Sequence, residues 1–108
     1  MLAKKNRLAK AKDIQKAFAR GRTFFSPFFN VKYVFSPNAP RFTVVVSTKV
    51  FKKAVSRNRL KRIVREYVRK NLAKFKNGDY VISFKPKAAT ISEKIIMDSF
   101  IEIVSKIR

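Results

Sequence analysis

A long helix with one apolar face and one cationic face is predicted in the middle of the sequence. The pattern begins within Lys53–Arg57 and ends near Phe75, just before Asn77 and Gly78, which favour a turn. At about 100° per residue, the apolar side chains fill one arc of the helical wheel. They are Leu60, Ile63, Val64, Tyr67, Val68 and Phe75. A helix with such a face must bury it, so the rest of the chain has to supply an apolar layer.

The solvent side of this predicted helix carries polar and cationic residues in one strip, with Leu72 as an apolar residue near its C-terminal end. The members of this cationic strip are Asn58, Lys61, Arg62, Arg65 and Arg69. A face that serves solubility alone normally mixes charges of both signs, and this strip has almost no acid. Contact with phosphate groups explains the strip better. Arginine suits that role because its planar fork binds two oxygens at once.

The strip belongs to a chain with 27 Lys and Arg against 6 Asp and Glu, which gives a formal net charge of +21 over 108 residues. Residues 1–65 contribute +17 and residues 66–108 contribute +4, so the partner surface is expected in the N-terminal and central parts. Such a charge indicates a polyanionic partner. Nucleic acid is favoured over a membrane surface, because no amphipathic helix stands apart from the predicted domain.

The composition also limits the chemistry that the chain can perform. It has no Cys and no His, which removes a thiolate nucleophile, a zinc-finger ligand set and the commonest general base. We therefore assign no catalytic residue and no metal ligand, and expect no small-molecule substrate. No apolar stretch approaches the roughly 18 residues that span a bilayer, and no signal-peptide pattern is present. We expect a cytoplasmic protein without a membrane partner.

The segments around the central helix predict one α+β domain over residues 1–108. A first helix is predicted over Ala9–Arg20, and a last helix starts with the capping-box spacing of Thr90–Glu93. Extended segments are predicted over residues 23–29, 30–35, 41–47 and 79–84. The expected element order is αβββαβα, a sandwich of helices on a small mixed sheet.

The N-terminal and central parts of the sequence resemble a known family. The run Lys53–Glu66, which contains Arg57-Asn58-Arg59, is similar to the Arg-Asn-Arg signature of the protein subunit of bacterial ribonuclease P. The similarity continues upstream, where it covers most of residues 6–66 in the same order. The matching upstream segments are Asn6–Leu8, Asp13–Phe18 with Gly21, and Val46–Lys49.

The resemblance implies a protein cofactor of a ribozyme. In this family the RNA subunit removes the 5′ leader of precursor tRNA by Mg²⁺-dependent hydrolysis, and the Mg²⁺ is bound mainly by the RNA. The implied partners are the catalytic RNA and precursor tRNA. The implied contacts with the catalytic RNA are Lys53, Arg57, Asn58, Arg59, Lys61, Arg62, Arg65 and Arg69. The family fold resembles a small-ribosomal-subunit protein domain. It has a left-handed βαβ crossover through the central helix, whereas βαβ crossovers are generally right-handed.

The resemblance also implies a second site, a cleft between the first helix and the sheet that binds the leader as an extended single strand. Such binding needs a basic track and flat groups on which bases stack. Phe18 matches the aromatic position of the family, although a Phe on a short helix is more often a core residue. The residues expected at this leader site are Ile14, Phe18, Tyr33, Ser47 and Lys49.

Three positions depart from the family pattern. Ile14 stands where the family usually has Phe, which removes one stacking ring. Val50 stands in place of the second lysine of a pair, which weakens the expected contact with phosphate. Lys52 replaces a frequent glycine, so a positive φ at this position would cost free energy.

Two other functions fit the composition. The first is a ribosomal protein or another structural RNA-binding protein without an enzymatic role, which needs the same small basic α+β domain. The second is a helix-turn-helix DNA-binding protein, which needs two short adjacent helices rather than one long helix between strands. The two glycines lie far apart, at Gly21 and Gly78, which excludes a KH-type Gly-x-x-Gly loop and a P-loop.

Overall fold

The computed structural model describes residues 2–107, in which four strands form one sheet with helices on both faces. The helices are α1 (Ala11–Arg20), α2 (Ala54–Lys70) and α3 (Glu93–Lys106). The strands are β1 (Arg22–Phe25), β2 (Phe29–Val34), β3 (Arg41–Val45) and β4 (Asp79–Phe84). Short 3₁₀ turns occur at Lys4–Asn6, Leu72–Lys74 and Pro86–Thr90. The predicted order αβββαβα is confirmed.

The sheet is mixed, with the strand order β1-β2-β4-β3. The pairs β1/β2 and β2/β4 are antiparallel, whereas β3/β4 is parallel. Because parallel neighbours cannot be joined by a tight turn, α2 serves as the crossover between β3 and β4. The predicted βαβ unit is therefore present. The left-handed sense of its crossover stays a prediction.

The main core lies between the sheet and helices α2 and α3. Every second residue of β2 points into it: Phe29, Val31 and Tyr33 are all buried. Rings pack closely there, with Phe42 stacked on Tyr80 at 4.7 Å between centroids. The helices contribute the buried side chains Leu60, Val64, Val68, Ile96, Phe100 and Ile103.

Helix α1 covers part of the opposite face of the sheet. Its Ala17 packs with Leu8 against Val81, which is fully buried because helices lie on both sides of it. Arg41 at the start of β3 donates two hydrogen bonds of 2.8 Å to Asp79 and one of 3.3 Å to Asp13 of α1. This ion-pair cluster ties the first helix to the sheet.

Three helix boundaries differ from the prediction. Helix α1 begins at Ala11 rather than at Ala9. Helix α2 ends at Lys70 rather than near Phe75, and the chain continues through a 3₁₀ turn. Leu72 therefore leaves the cationic strip and packs against the core, and Phe75 reaches the core from outside the helix. Helix α3 begins at Glu93, with Ser92 rather than Thr90 as its N-cap, and the Ser92 hydroxyl accepts a hydrogen bond from the Ile95 amide.

Candidate nucleic-acid interface

The exposed side of α2 presents the cationic strip to solvent. Asn58, Arg62 and Arg65 are exposed and Lys61 is half-buried, while Leu60 and its apolar neighbours one turn apart face the core. Within residues 2–107, neither Arg62 nor Arg65 has an ion-pair partner. Their charges are therefore available to phosphate groups.

Other arginines of the same helix have internal partners. Arg57 donates from Nη1 to the carbonyl oxygens of Phe51 and Lys52, at 2.9 and 2.8 Å, and so fastens the preceding loop to the first turn of the helix. Arg59 pairs with Glu93 of α3 at 2.9 Å, and both side chains are exposed. Exposed pairs contribute only about 0–1 kcal/mol, so a phosphate group can compete for this arginine.

Arg69, at the far end of the strip, pairs with Glu66 one turn earlier at 3.0 Å. Hydrogen bonds from Arg69 are the largest cause that lowers the pKa of Glu66, to about 2. Glu66 therefore stays ionised throughout the physiological range, and the net charge at this end of the strip is reduced. The central residues Lys61, Arg62 and Arg65 carry the strongest uncompensated charge of the strip.

The loop before α2 accounts for two departures from the family pattern. Val50 is buried in the core, where a lysine would not fit without a partner. Lys52 is exposed, and no non-glycine residue of 2–107 has a positive φ, so the expected cost at this position does not arise. Lys53 is the exposed N-cap residue of α2, although its side chain makes no capping bond.

The second surface is the part of the α1 side of the sheet that α1 leaves open, which we call the groove. Because Phe29, Val31 and Tyr33 face the main core, Asn30 and Lys32 of β2 must face α1. The strand register extends this face to Phe25, Val45 and Ser83. The groove residues are Phe18, Phe25, Asn30, Lys32, Val45, Ser83 and Lys85.

Phe18 lies at the border of the groove and is 43% exposed, so it is not a core residue. The Lys32 ammonium lies 5.3 Å from the centre of the Phe18 ring and donates a 2.7 Å hydrogen bond to the Phe18 carbonyl. Ile14, one turn earlier, is half-buried and packs against Leu8, Ala17 and Val81. The residue that replaces the family's usual Phe thus contributes to the packing of α1.

Tyr33 does not lie in the groove, and the prediction that it neighbours Phe18 is wrong. Its side chain points to the opposite face, where it is 7% exposed and packs against Tyr80 with 4.8 Å between ring centroids. Its hydroxyl donates to the Asn77 carbonyl, and burial raises its pKa. Lys32, one residue earlier, takes the place expected for Tyr33.

Ser47 and Lys49 follow the end of β3 and are both exposed. Ser47 lies two residues after Val45, and its hydroxyl accepts a 3.3 Å hydrogen bond from the Lys49 amide. The structure therefore places these two predicted residues together at the end of β3, between the groove and the start of α2.

Six groove residues are not predicted from the sequence: Phe25, Asn30, Lys32, Val45, Ser83 and Lys85. The signal for the two β2 residues is the alternation of Phe29, Val31 and Tyr33 with Asn30 and Lys32, which has the period of a half-buried strand. Phe25 and Lys85 have no such signal, because only the strand register brings them to this face.

The acidic residues do not form a magnesium site. Asp13 and Asp79 are both held by Arg41, and Glu93 is paired with Arg59. Over residues 2–107, no three acidic side chains come together in a group that would hold a metal ion. The residues present therefore do not fit a resident Mg²⁺ ion.

Comparison with known proteins identifies the family. A family model described as Ribonuclease P matches residues 2–108. The chain belongs to the ribonuclease P protein family. Among its relatives, the ribonuclease P protein component of a Pseudanabaena strain is 37% identical over 84 residues, which cover 76% of this chain and 72% of the relative. The protein component of Xanthomonas oryzae is 33% identical over 89 residues, and the match spans 82% of this chain and 61% of that relative.

Solved structures of ribonuclease P proteins share the fold of this family member. The Thermotoga maritima protein, solved in complex with 1-(4-fluorophenyl)-2-thiourea, superposes with a TM-score of 0.86 at 26% identity, covering 94% of this chain and 100% of that chain. The Staphylococcus aureus protein also gives a TM-score of 0.86, at 22% identity and with 93% of each chain covered. None of the helices in the described residues is long and apolar enough to cross a membrane.

Proposed function

We propose that this member of the ribonuclease P protein family holds two RNA segments at once. Its cationic strip binds the catalytic RNA, and its groove binds the 5′ leader of precursor tRNA. The observation that carries this proposal is the position of the two surfaces on helices that lie on opposite faces of one sheet. One small domain of this shape can contact a ribozyme and its substrate without competition between the two RNAs.

The strip has the chemistry for a folded RNA with densely packed phosphates. Among residues 2–107, Lys61, Arg62 and Arg65 have no acidic partner, and Asn58 adds an amide donor and acceptor beside them. Arg59 and Arg69 join when phosphate displaces their carboxylate partners. Lys53 and the remaining donors of Arg57 extend this contact to the start of α2.

The groove has the chemistry for an unpaired strand. Phe18 offers an exposed ring on which a base can stack, and Lys32 beside it supplies a positive charge for the backbone. Ser47 and Lys49 extend the polar surface towards α2. The hydrolysis itself is assigned to the RNA with its own Mg²⁺, and the protein residues position the substrate.

Reconstitution tests this function. The full chain is combined with a bacterial ribonuclease P RNA, and removal of the 5′ leader from precursor tRNA is measured at low Mg²⁺ and modest salt. We expect faster leader removal than with the RNA alone. A rate equal to that of the RNA alone would overturn the proposal. Equal affinity for a ribosomal RNA fragment under the same conditions would favour a general structural RNA-binding protein.

A further inference from the structure

The groove contains a second exposed aromatic ring at the end of β1. Phe25 is 70% exposed and therefore contributes little to the core. Its cross-strand partner is Asn30, and both point to the α1 side. The exposed face of this ring is open to contact with a ligand.

A lysine is fixed over this ring. The Lys85 ammonium lies 5.8 Å from the centre of the Phe25 ring, within the range of a cation–π contact. The same ammonium donates a 2.7 Å hydrogen bond to the carbonyl oxygen of Ser26. An ammonium has three donor hydrogens, so Lys85 keeps donors for a phosphate group while its position is held.

The arrangement repeats the one at Phe18. There Lys32 lies over the ring and donates to a backbone carbonyl, as Lys85 does at Phe25. Lys32 pairs with Thr23, two residues before Phe25, so the two positions are separated by about 7 Å along β1. This separation of two backbone positions is about twice the ~3.4 Å rise of a stacked nucleic-acid strand, so bases held at both positions would not be stacked on each other.

The groove floor opposite Phe25 also has an unused acceptor. Asn30 Oδ1 is buried and has no hydrogen-bond partner within the described residues. A buried acceptor without a donor is unfavourable, and a ribose hydroxyl or a base amino group would remove that cost when a neighbouring side chain moves to open the site.

From these contacts we infer that Phe25 and Lys85 form a second base-stacking platform, which binds a nucleobase of single-stranded RNA next to the one at Phe18. The inference rests on the proposed leader-binding function of the groove. It adds that the groove holds two leader bases at separate positions, each with its own ring and lysine.

The experiment uses the whole 108-residue chain reconstituted with a bacterial ribonuclease P RNA. The affinity for precursor tRNA with an eight-nucleotide leader is measured relative to mature tRNA, for the wild type and for Phe25→Leu, Phe18→Leu and Phe35→Leu. Phe35 is the matched control, because it is 66% exposed and, over residues 2–107, has no cation over its ring. Thermal unfolding followed by circular dichroism verifies that each variant folds.

We expect Phe25→Leu to weaken the preference for precursor tRNA by about fivefold or more, with little change for Phe35→Leu. Precursors with a single abasic leader nucleotide should lose their sensitivity to Phe25→Leu at one position and to Phe18→Leu at a different one. If Phe25→Leu behaves like Phe35→Leu while Phe18→Leu weakens the preference, the second platform is refuted and the leader groove remains. If Phe18→Leu also has no effect, the groove itself is not the leader site.

Discussion

The arginines of α2 have the same chemistry, but their contacts give them different roles. Arg57 is fastened to the carbonyl oxygens of Phe51 and Lys52, and Arg59 and Arg69 have carboxylate partners. Arg62 and Arg65 have no such partner among residues 2–107. The sequence predicts all of these residues as one group, because the partners of a side chain depend on elements that lie far away in the chain.

Arg65→Ala and Arg62→Ala should each weaken assembly with the catalytic RNA and reduce its salt dependence. Each loss removes one phosphate contact, so the slope of log affinity against log salt should fall by about one. The measurement is a binding isotherm at several salt concentrations. Lys94→Ala, which removes one exposed charge from α3, is the control and should leave the slope nearly unchanged. An unchanged slope for both arginine variants would mean that the strip is only solvated.

Tyr80 should make the stability of the folded protein fall at alkaline pH. It is buried against Phe42, its hydroxyl donates a 2.6 Å hydrogen bond to the Lys76 carbonyl, and burial is the main cause that raises its pKa. Folding therefore favours the protonated form of the Tyr80 hydroxyl. Its contribution to the free energy of unfolding is fully present below the unfolded-state pKa of about 10 and is lost as the pH rises beyond that value.

The free energy of unfolding should therefore fall above about pH 10, and more steeply for the wild type than for Tyr80→Phe. At pH 7 the variant should be less stable by about 1 kcal/mol, through the lost hydrogen bond. Urea denaturation at a series of pH values measures both effects, and the titration of the lysines cancels in the comparison. Parallel pH curves for the two proteins would contradict the role of Tyr80.

At the scale of the elements, local pattern predicts the helices and strands well and their ends less well. The period of apolar residues in α2 is strong, but nothing in the pattern distinguishes a helix that ends at Lys70 from one that continues through a 3₁₀ turn to Phe75. Tyr33 shows a similar limit within β2. Its aromatic ring suggests a stacking role, whereas its strand position places it in the core with Val31.

The N-terminus of α3 provides a direct test of a corrected boundary. Ser92→Ala removes the hydroxyl that accepts from the Ile95 amide, and should lower the free energy of unfolding by about 1 kcal/mol. Thr90→Ala should cost less, because the Thr90 hydroxyl donates only to the Lys87 carbonyl in an exposed 3₁₀ turn. Chemical denaturation of both variants decides the point. A larger loss for Thr90→Ala would restore Thr90 as the cap that the sequence pattern predicts.

At the scale of the whole molecule, the sheet separates two cationic surfaces. The net charge of +21 indicates a polyanionic partner, but it does not indicate that two distinct surfaces bind it. That division depends on the mixed sheet, because α1 packs on one face while α2 and α3 pack on the other. The topology requires contacts between residues far apart in the chain, such as Leu8 with Val81, which local periodicity does not reveal.

Two surfaces on opposite faces should act independently. In the reconstituted complex, Arg65→Ala in the strip should mainly weaken assembly with the catalytic RNA, and Phe18→Leu in the groove should mainly weaken the preference for precursor over mature tRNA. The free-energy changes of the double variant should add within about 0.5 kcal/mol, as expected for sites without shared partners.

The pair Arg62→Ala and Arg65→Ala is the comparison for this test. The two residues lie three positions apart on one helical strip, and we propose that both contact the catalytic RNA. Their effects on assembly should depart from additivity. Binding isotherms and leader-removal rates for the single and double variants give two double-mutant cycles, one for Arg65 with Phe18 and one for Arg62 with Arg65. A coupling between Arg65 and Phe18 as large as that between Arg62 and Arg65 would mean that one RNA segment contacts both surfaces, and would contradict their independence.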